Sequence, residues 1–394
     1  MQIGNTLYLD HQATTPVDPR VFSEMSPFFS ASFGNPHSSD HSLGWESLRA
    51  VETSASRIAR LIGADEDEII FTSGATESNN LALLGIGRRA VKGNRHRILL
   101  SAIEHKCVLA AGRVLQEQYG FMVESIPVNR EGFADLARLE KMLDEDVLLV
   151  SVMAVNNEIG TIQETEAISK LVRKHGALFH CDAAQAPVAI DVNLAKHTDM
   201  LSLSAHKMYG PKGIGVAYIS REIRQSIEPL IYGGGQQEGL RSGTIPVALC
   251  VGMGAAADLM VAGDISEGRN ETLRRRNLFI EKLQSLRWPV SVNGPLGDGR
   301  HPGNANVCFA GFSAHDILSA LQPHLAASTG SACTSGIPES SHVLKAIGLD
   351  SDSADSSIRF SLGFETSDED INEATILIEE TLRKLAKSGR VCSA

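Results

Sequence analysis

Aromatic residues are scarce, at 5% of 394 residues, so the chain lacks the stacking platforms of single-stranded nucleic-acid binders. An excess of positive charge is missing too. The formal net charge of −11 argues against an unaided nucleic-acid or anionic-membrane surface, because phosphate binding needs clustered Lys and Arg. The longest apolar run, Val247 to Ala257, stops at Asp258 and is too short to span a bilayer. No N-terminal stretch joins a basic start, an apolar run and a small-residue cleavage site, so no secretion signal is expected. The six cysteines, at 107, 181, 250, 308, 333 and 392, show neither CxxC nor metal-ligand spacing. No metal and no disulfide framework is expected. With 43% apolar and 21% charged residues, the composition suits a folded, cytoplasmic protein.

The length exceeds one compact core and suits two domains. A short strand, Leu7 to Asp10, precedes a Gly/Asn/Pro/Ser-rich loop, Phe33 to Asp40. Leu48, Val51, Ile58 and Leu61 then recur at helical spacing, with Gly63 where a helix C-terminus favours glycine. Strands are expected at Glu68 to Thr72, Arg97 to Ser101, Val147 to Met153, Ala177 to Cys181, Met200 to Leu203 and Val216 to Ile219. Helical stretches fall between them, through Asn80 and Leu84 and around Leu136 to Leu143 and Ile168 to Lys174. This alternation implies an α/β fold with a mainly parallel sheet covered on both faces, whose ligand site lies beyond the carboxyl ends of the strands. The pattern changes near Ala262, where a charged helix, Glu267 to Leu286, leads into a smaller α+β region.

Three local signals carry chemistry. In Thr72-Ser73-Gly74-Ala75-Thr76-Glu77-Ser78 a strand ends, a glycine turns the chain and hydroxyl residues open a helix, which aims backbone N–H groups at an anion. An ordinary helix cap by Thr76 or Ser73 is the alternative. In Cys181-Asp182-Ala183-Ala184-Gln185 a carboxylate ends an apolar strand, where it calls for a cation such as a protonated pyridine nitrogen. Capping of the next segment, or a lysine partner, would serve it equally. Lys207 follows a buried strand and precedes the Gly210-Pro211 turn, so burial would lower its pKa and make it a Schiff-base nucleophile. Lys212 is its rival, and a solvated surface lysine the plain reading. Phosphate cradle, strand-end carboxylate and post-strand lysine, in that order, fit one cofactor: pyridoxal 5'-phosphate (PLP), with its phosphate, ring nitrogen and aldehyde.

The same residues resemble a known family. Thr72 to Asn80, Glu104-His105-Lys106, Val155-Asn156-Asn157-Glu158-Ile159-Gly160, Ser204 to Gly213, Arg241-Ser242-Gly243-Thr244 and Ser331-Ala332-Cys333-Thr334-Ser335 are similar to the cysteine desulfurases of the class V aminotransferase group. The likeness runs from Leu9-Asp10 through Ser357-Ile358-Arg359-Phe360-Ser361. It implies PLP-dependent transferase fold type I. Residues 16–262 would form a large PLP-binding domain with a mainly parallel seven-stranded sheet. Residues 1–15 and 263–394 would form the small domain with the cysteine loop. It also implies a homodimer.

By the same resemblance, Lys207 holds PLP as a Schiff base and later moves the substrate Cα proton. Asp182 pairs with the ring nitrogen, Gln185 contacts the ring oxygen, and His105 stacks on the ring and handles protons. Ala75, Thr76, Ser204 and His206 bind the phosphate, joined by Thr244 of the partner subunit. Asn156, which also contacts the cofactor, and Arg359 hold the substrate carboxylate, a task suited to the planar fork of arginine. Cys333, in a small-residue segment bounded by Gly330 and Gly336, takes sulfur from L-cysteine as a persulfide and passes it to an acceptor protein, an iron–sulfur scaffold or a thiolation enzyme. L-alanine is the co-product. No direct nucleic-acid or membrane partner is implied. A selenocysteine lyase, a plain aminotransferase and a non-catalytic PLP-bearing scaffold are the rival readings. Two departures stand out: Gln237-Glu238 where the family has an acidic-then-basic pair, and His11-Gln12 before Ala13-Thr14-Thr15-Pro16.

Overall fold

A computed structural model describes residues 1–263, 265–330 and 340–388. Two short strands, Gln2–Ile3 (β1) and Thr6–Tyr8 (β2), open the chain. The main sheet is built from Ile69–Thr72 (β3), Arg97–Ser101 (β4), Met122–Ile126 (β5), Val147–Ser151 (β6), Leu178–Asp182 (β7), Met200–Ser204 (β8) and Gly215–Ile219 (β9). Further on come Val290–Val292 (β10), Asn304–Phe309 (β11), Leu325–Ala326 (β12) and Ser357–Ser361 (β13).

The main sheet has seven strands in the order β3-β9-β8-β7-β6-β4-β5. All neighbours pair in parallel except β9, which runs antiparallel to both β8 and β3. The strands read as nearly continuous apolar runs because both faces are covered. Alternate residues feed opposite cores, as a period of two requires. Leu99, Val150, Phe179 and Leu201 join one cluster, whereas Ile98, Leu100, Leu149 and Met200 join the cluster on the other face. The helix Ser42–Ile62 closes on Gly63 at φ +75°, the left-handed C-cap expected from its sequence. Met122–Ile126 has no counterpart in the sequence reading, since it is an edge strand whose Met122 is exposed and whose centre is only half-buried.

A second core unites the two ends of the described chain. Leu7 and Leu9 pack with Phe279, Phe309, Phe360 and Ile378. Around them lie the sheets β10-β11-β13 and β1-β2-β12 and the helices Ile265–Gln284 and Asp368–Lys387. Among the described residues no single helix is long and apolar enough to cross a membrane.

The departure at Gln237 has a structural role. Its side-chain Oε1 accepts from the Phe71 N–H at 2.7 Å, and its Nε2 donates to the Phe71 carbonyl at 3.0 Å. A side-chain amide thereby pairs with the free edge of β3, taking the place of a neighbouring strand. Glu238 turns outward to an exposed pair with Arg224.

Candidate active site

A cavity of about 660 Å³ opens beyond the carboxyl ends of β3, β4, β7 and β8, where a parallel sheet places its ligands. Each strand end delivers one functional group. β3 stops at Thr72, and Gly74 turns the chain into the helix Ala75–Ala90. No side chain caps that helix, so neither Ser73 nor Thr76 fills the capping role open in the sequence. Gly215, paired with both Thr72 and Ser204, lets this loop come close, because a Cβ on it would sit 2.5 Å from the Gly74 Cα. Ser204 and His206 line the cavity beside the helix start.

Asp182 is the last residue of β7 and only 4% exposed. Its Oδ1 accepts from the Ala184 N–H at 3.0 Å and its Oδ2 from Asn79 Nδ2 at 2.7 Å. Among the described residues no cationic side chain forms a salt bridge with it. Behind it the carboxyl of Glu104 is fully buried, and burial together with the nearby Asp182 charge keeps it protonated well above the usual carboxyl range.

Lys207 ends a single 3-10 turn after β8. Its Nζ donates to the carbonyls of Gln12 at 2.5 Å and Ala13 at 2.7 Å. Burial, aided by the Arg359 charge and opposed by Asp10 and Asp182, lowers its pKa to about 8. Lys212 also reaches the cavity but is exposed. Just beyond Lys207, Tyr209 sits at φ +63°, an uncommon conformation for a bulky residue. It is held there by stacking on Phe364 at 5.3 Å and by a bond from the Phe364 N–H to its hydroxyl.

His105 caps the helix Lys106–Tyr119: its Nδ1 accepts from the Cys107 N–H. The residue lines the cavity, and burial, opposed by the Asp182 charge and aided by Lys207, lowers its pKa. Gln185 donates to the Gln12 carbonyl at 3.0 Å. Arg359, on β13, lines the same cavity. It donates to Asp10 Oδ1 at 2.7 Å, Ser328 Oγ at 2.9 Å and the Asn157 carbonyl at 2.7 Å, and its buried Nε has no partner among the described residues.

The structure thus gathers Ala75, Thr76, His105, Asp182, Gln185, Ser204, His206, Lys207 and Arg359 around one cavity. Asn156 lies outside its wall. Its Oδ1 accepts from the N–H groups of Glu158 and Ile159, its Nδ2 donates to the Ile103 carbonyl, and its neighbour Asn157 faces the cavity. Thr244 is exposed and away from the cavity of its own chain. Cys333 lies outside the described residues. Sequence reading did not single out Asn79, Asp10, Cys107 or Ser328.

The arrangement fits PLP on its own geometry. An uncapped helix start suits a phosphate, a buried carboxylate without a cationic partner suits a protonated ring nitrogen, and an amine of lowered pKa suits an aldehyde.

Residues 7–373 match the aminotransferase class-V family, whose members depend on PLP. A cysteine desulfurase IscS from Rickettsia akari (strain Hartford) is 46% identical over 387 residues, covering 97% of this chain and 92% of its own. A solved NifS-like protein superposes with a TM-score of 0.89 at 36% identity, covering 96% of this chain and 100% of its own. A structure of SspA in complex with cysteine gives 0.78 at 35% identity, covering 91% and 99%. The chain belongs to the class-V aminotransferase family, among its cysteine desulfurases, and is a PLP-dependent enzyme.

Proposed function

We propose that this enzyme converts L-cysteine to L-alanine and places the sulfur on Cys333 as a persulfide. The buried Asp182 carboxylate, without a cationic side-chain partner among the described residues and in one cavity with Lys207, carries the reading. When bound, PLP supplies an aldehyde that captures amines and a ring that withdraws electrons from the substrate Cα.

The chain's own groups do the rest. Asp182 holds the ring-nitrogen proton, steadied by Asn79 and the Ala184 N–H. Lys207 would hold the cofactor aldehyde through Nζ and, as a free amine, would take the substrate Cα proton; its lowered pKa leaves a useful fraction neutral near pH 8. Arg359 positions the substrate carboxylate, sharing its guanidinium with Asp10. The helix start at Ala75 and Thr76, with Ser204 and His206, anchors the phosphate. Asn156 acts from behind the wall, shaping the turn that presents Asn157.

The Cys333 thiolate attacks the substrate sulfur. The S–S bond forms, the Cβ–S bond breaks, and protons delivered by His105 and Lys207 complete L-alanine. The net change is L-cysteine plus thiol to L-alanine plus persulfide. A protein acceptor then takes the outer sulfur. A homodimer, with Thr244 of the partner subunit on the phosphate, fits the exposure of Thr244. Four described free cysteines suit the reducing cytoplasm. The clusters on the main sheet and the cluster around Leu7, Leu9 and Phe360 support division into residues 16–262 and residues 1–15 with 263–394, with Ile103 and Ile159 packing against Val343 and Leu344 across that boundary.

Cys333→Ser tests the assignment. The variant is expected to keep the absorbance of bound PLP and to lose alanine formation by at least 100-fold. Wild-type turnover in Cys333→Ser would remove Cys333 from the mechanism.

A further inference from the structure

A second thiol stands in the cavity wall, and the reaction above does not use it. Cys107, the first residue after Lys106 in the helix Lys106–Tyr119, lines the cavity. Its Sγ lies 2.9 Å from His105 Nδ1 and 3.3 Å from Asn79 Nδ2. The other hydrogen of that same Asn79 amide goes to Asp182 Oδ2 at 2.7 Å. Asn79 is fully buried, and its Oδ1 has no partner among the described residues.

The direction of each bond follows from the donors. Asn79 Nδ2 has two hydrogens, one for Asp182 and one for the sulfur. His105 Nδ1 already accepts from the Cys107 backbone N–H at 3.2 Å, so it carries no proton and its one lone pair is shared between that N–H and the thiol, which also meets the Thr76 side chain. The sulfur must then supply the hydrogen. Burial and the Asp182 charge push the thiol up to about 12, so it stays protonated at neutral pH and is a poor nucleophile.

We propose that Cys107 is a positioning residue: its S–H donates to Nδ1 of His105, leaving the ring proton on Nε2, and through Asn79 it ties the imidazole to Asp182. This rests on the desulfurase reading for its purpose. A His105 fixed as the neutral Nε2–H form presents a donor to the cavity whatever the cofactor does. The hydrogen bond also has a definite sign. An imidazolium carries a proton on Nδ1 and cannot accept, so each donor aimed at Nδ1 favours the neutral ring and lowers its pKa. The charges facing the ring are Asp182, which raises that pKa, and Lys207, His342 and Lys106, which lower it. None of them changes when Cys107 is replaced.

The test is a titration of apo-enzyme carrying 13C-labelled histidine, with the His105 resonance assigned by its loss in His105→Asn. Cys107→Ala is expected to raise the His105 pKa by roughly half to one unit, the worth of one neutral hydrogen bond. Cys107→Ser, which keeps a donor, is expected to recover at least half of that shift. In the holoenzyme the acidic limb of kcat/KM for alanine formation should move upward with the same order among the variants. An unchanged His105 pKa in Cys107→Ala, or equal shifts in the alanine and serine variants, would overturn the proposal. The titration uses neither cofactor nor substrate, so its failure and a failure of the desulfurase reading are separate results.

Discussion

Gly215→Ala strikes the phosphate cradle through packing alone. Gly215 has no positive φ among the backbone angles of the chain, so alanine would fit its conformation; space is what is missing. An ideal Cβ there meets Gly74 Cα at 2.5 Å, Gly74 C at 2.6 Å and Leu203 O at 2.6 Å. All three are backbone atoms and cannot rotate away. Ordinary contact begins near 3.4 Å, so the Gly74 turn must retreat by roughly 1 Å from β9. Overpacking of this kind costs about 1–3 kcal/mol, a Tm loss of roughly 1–4 °C in a chain of this length. The larger effect falls on the ligand. A 1 Å retreat of the helix start stretches N–H to phosphate bonds beyond bonding range, and two charge-assisted bonds are together worth about 3 kcal/mol or more. PLP should bind apo-enzyme roughly 100-fold more weakly. Equilibrium titration followed by absorbance reads this directly, with circular dichroism to show that the variant is folded. Gly120→Ala is the control. It has φ +76° and no atom within 4 Å of its Cβ, so it should cost about 1 kcal/mol of stability and leave PLP affinity unchanged. A folded Gly215→Ala protein that binds PLP within twofold of wild type would refute the cradle.

Two further perturbations follow from charge. Lys207 has a folded pKa near 8 against 10.5 for the free side chain; the folded apo-protein therefore binds fewer protons between those values. Its stability rises with pH across that window, and below it the buried charge is a full burden. Lys207→Met should thus melt higher than wild type at pH 7 as apo-protein, by up to roughly 3 kcal/mol, with the gap closing between pH 8 and 10.5. Scanning fluorimetry across pH checks this, and a gap independent of pH would contradict it. Asp10→Ala leaves the Arg359 guanidinium buried without its carboxylate, at a cost on the order of 3 kcal/mol. Asp10→Asn retains an acceptor and should recover part of the loss, whereas equal melting of all three proteins would dismiss the pair.

What the sequence disclosed was local. Asp182, Lys207 and the Thr72 to Ser78 turn each sit at the end of an apolar run, so strand-end position and residue type together mark them. The partners that orient them are long-range. Asn79 reaches Asp182 across 103 positions, and Arg359 reaches Asp10 across 349. No periodicity records such distances. Asn156 illustrates the opposite case: its motif is plain, yet the amide is consumed by the backbone two and three residues on, as Asn commonly does in turns. Met122–Ile126 escaped because an edge strand with one exposed end shows no clean alternation.

The segment from Leu9 to Thr15 explains how residues from two cores come to share one cavity. On one side it is bonded to β13, through the Ser361 N–H to the Leu9 carbonyl, the His11 N–H to the Ser361 carbonyl and the Gln12 N–H to Ser361 Oγ. On the other it is bonded to the lysine turn, through Lys207 Nζ to the carbonyls of Gln12 and Ala13 and the Thr15 N–H to the His206 carbonyl. Asn304 then secures the middle, donating from one amide to both Gln12 Oε1 and the Glu158 carbonyl. Arg359, through the Asp10 carboxylate, and Lys207, through the Gln12 and Ala13 carbonyls, are therefore both tied to this one stretch of chain. A shift of the β13 sheet relative to the main sheet would have to break the contacts of the lysine amine as well as those of the guanidinium. His11 and Gln12 fall on this seam, between the guanidinium expected to bind the substrate carboxylate and the amine expected to move protons.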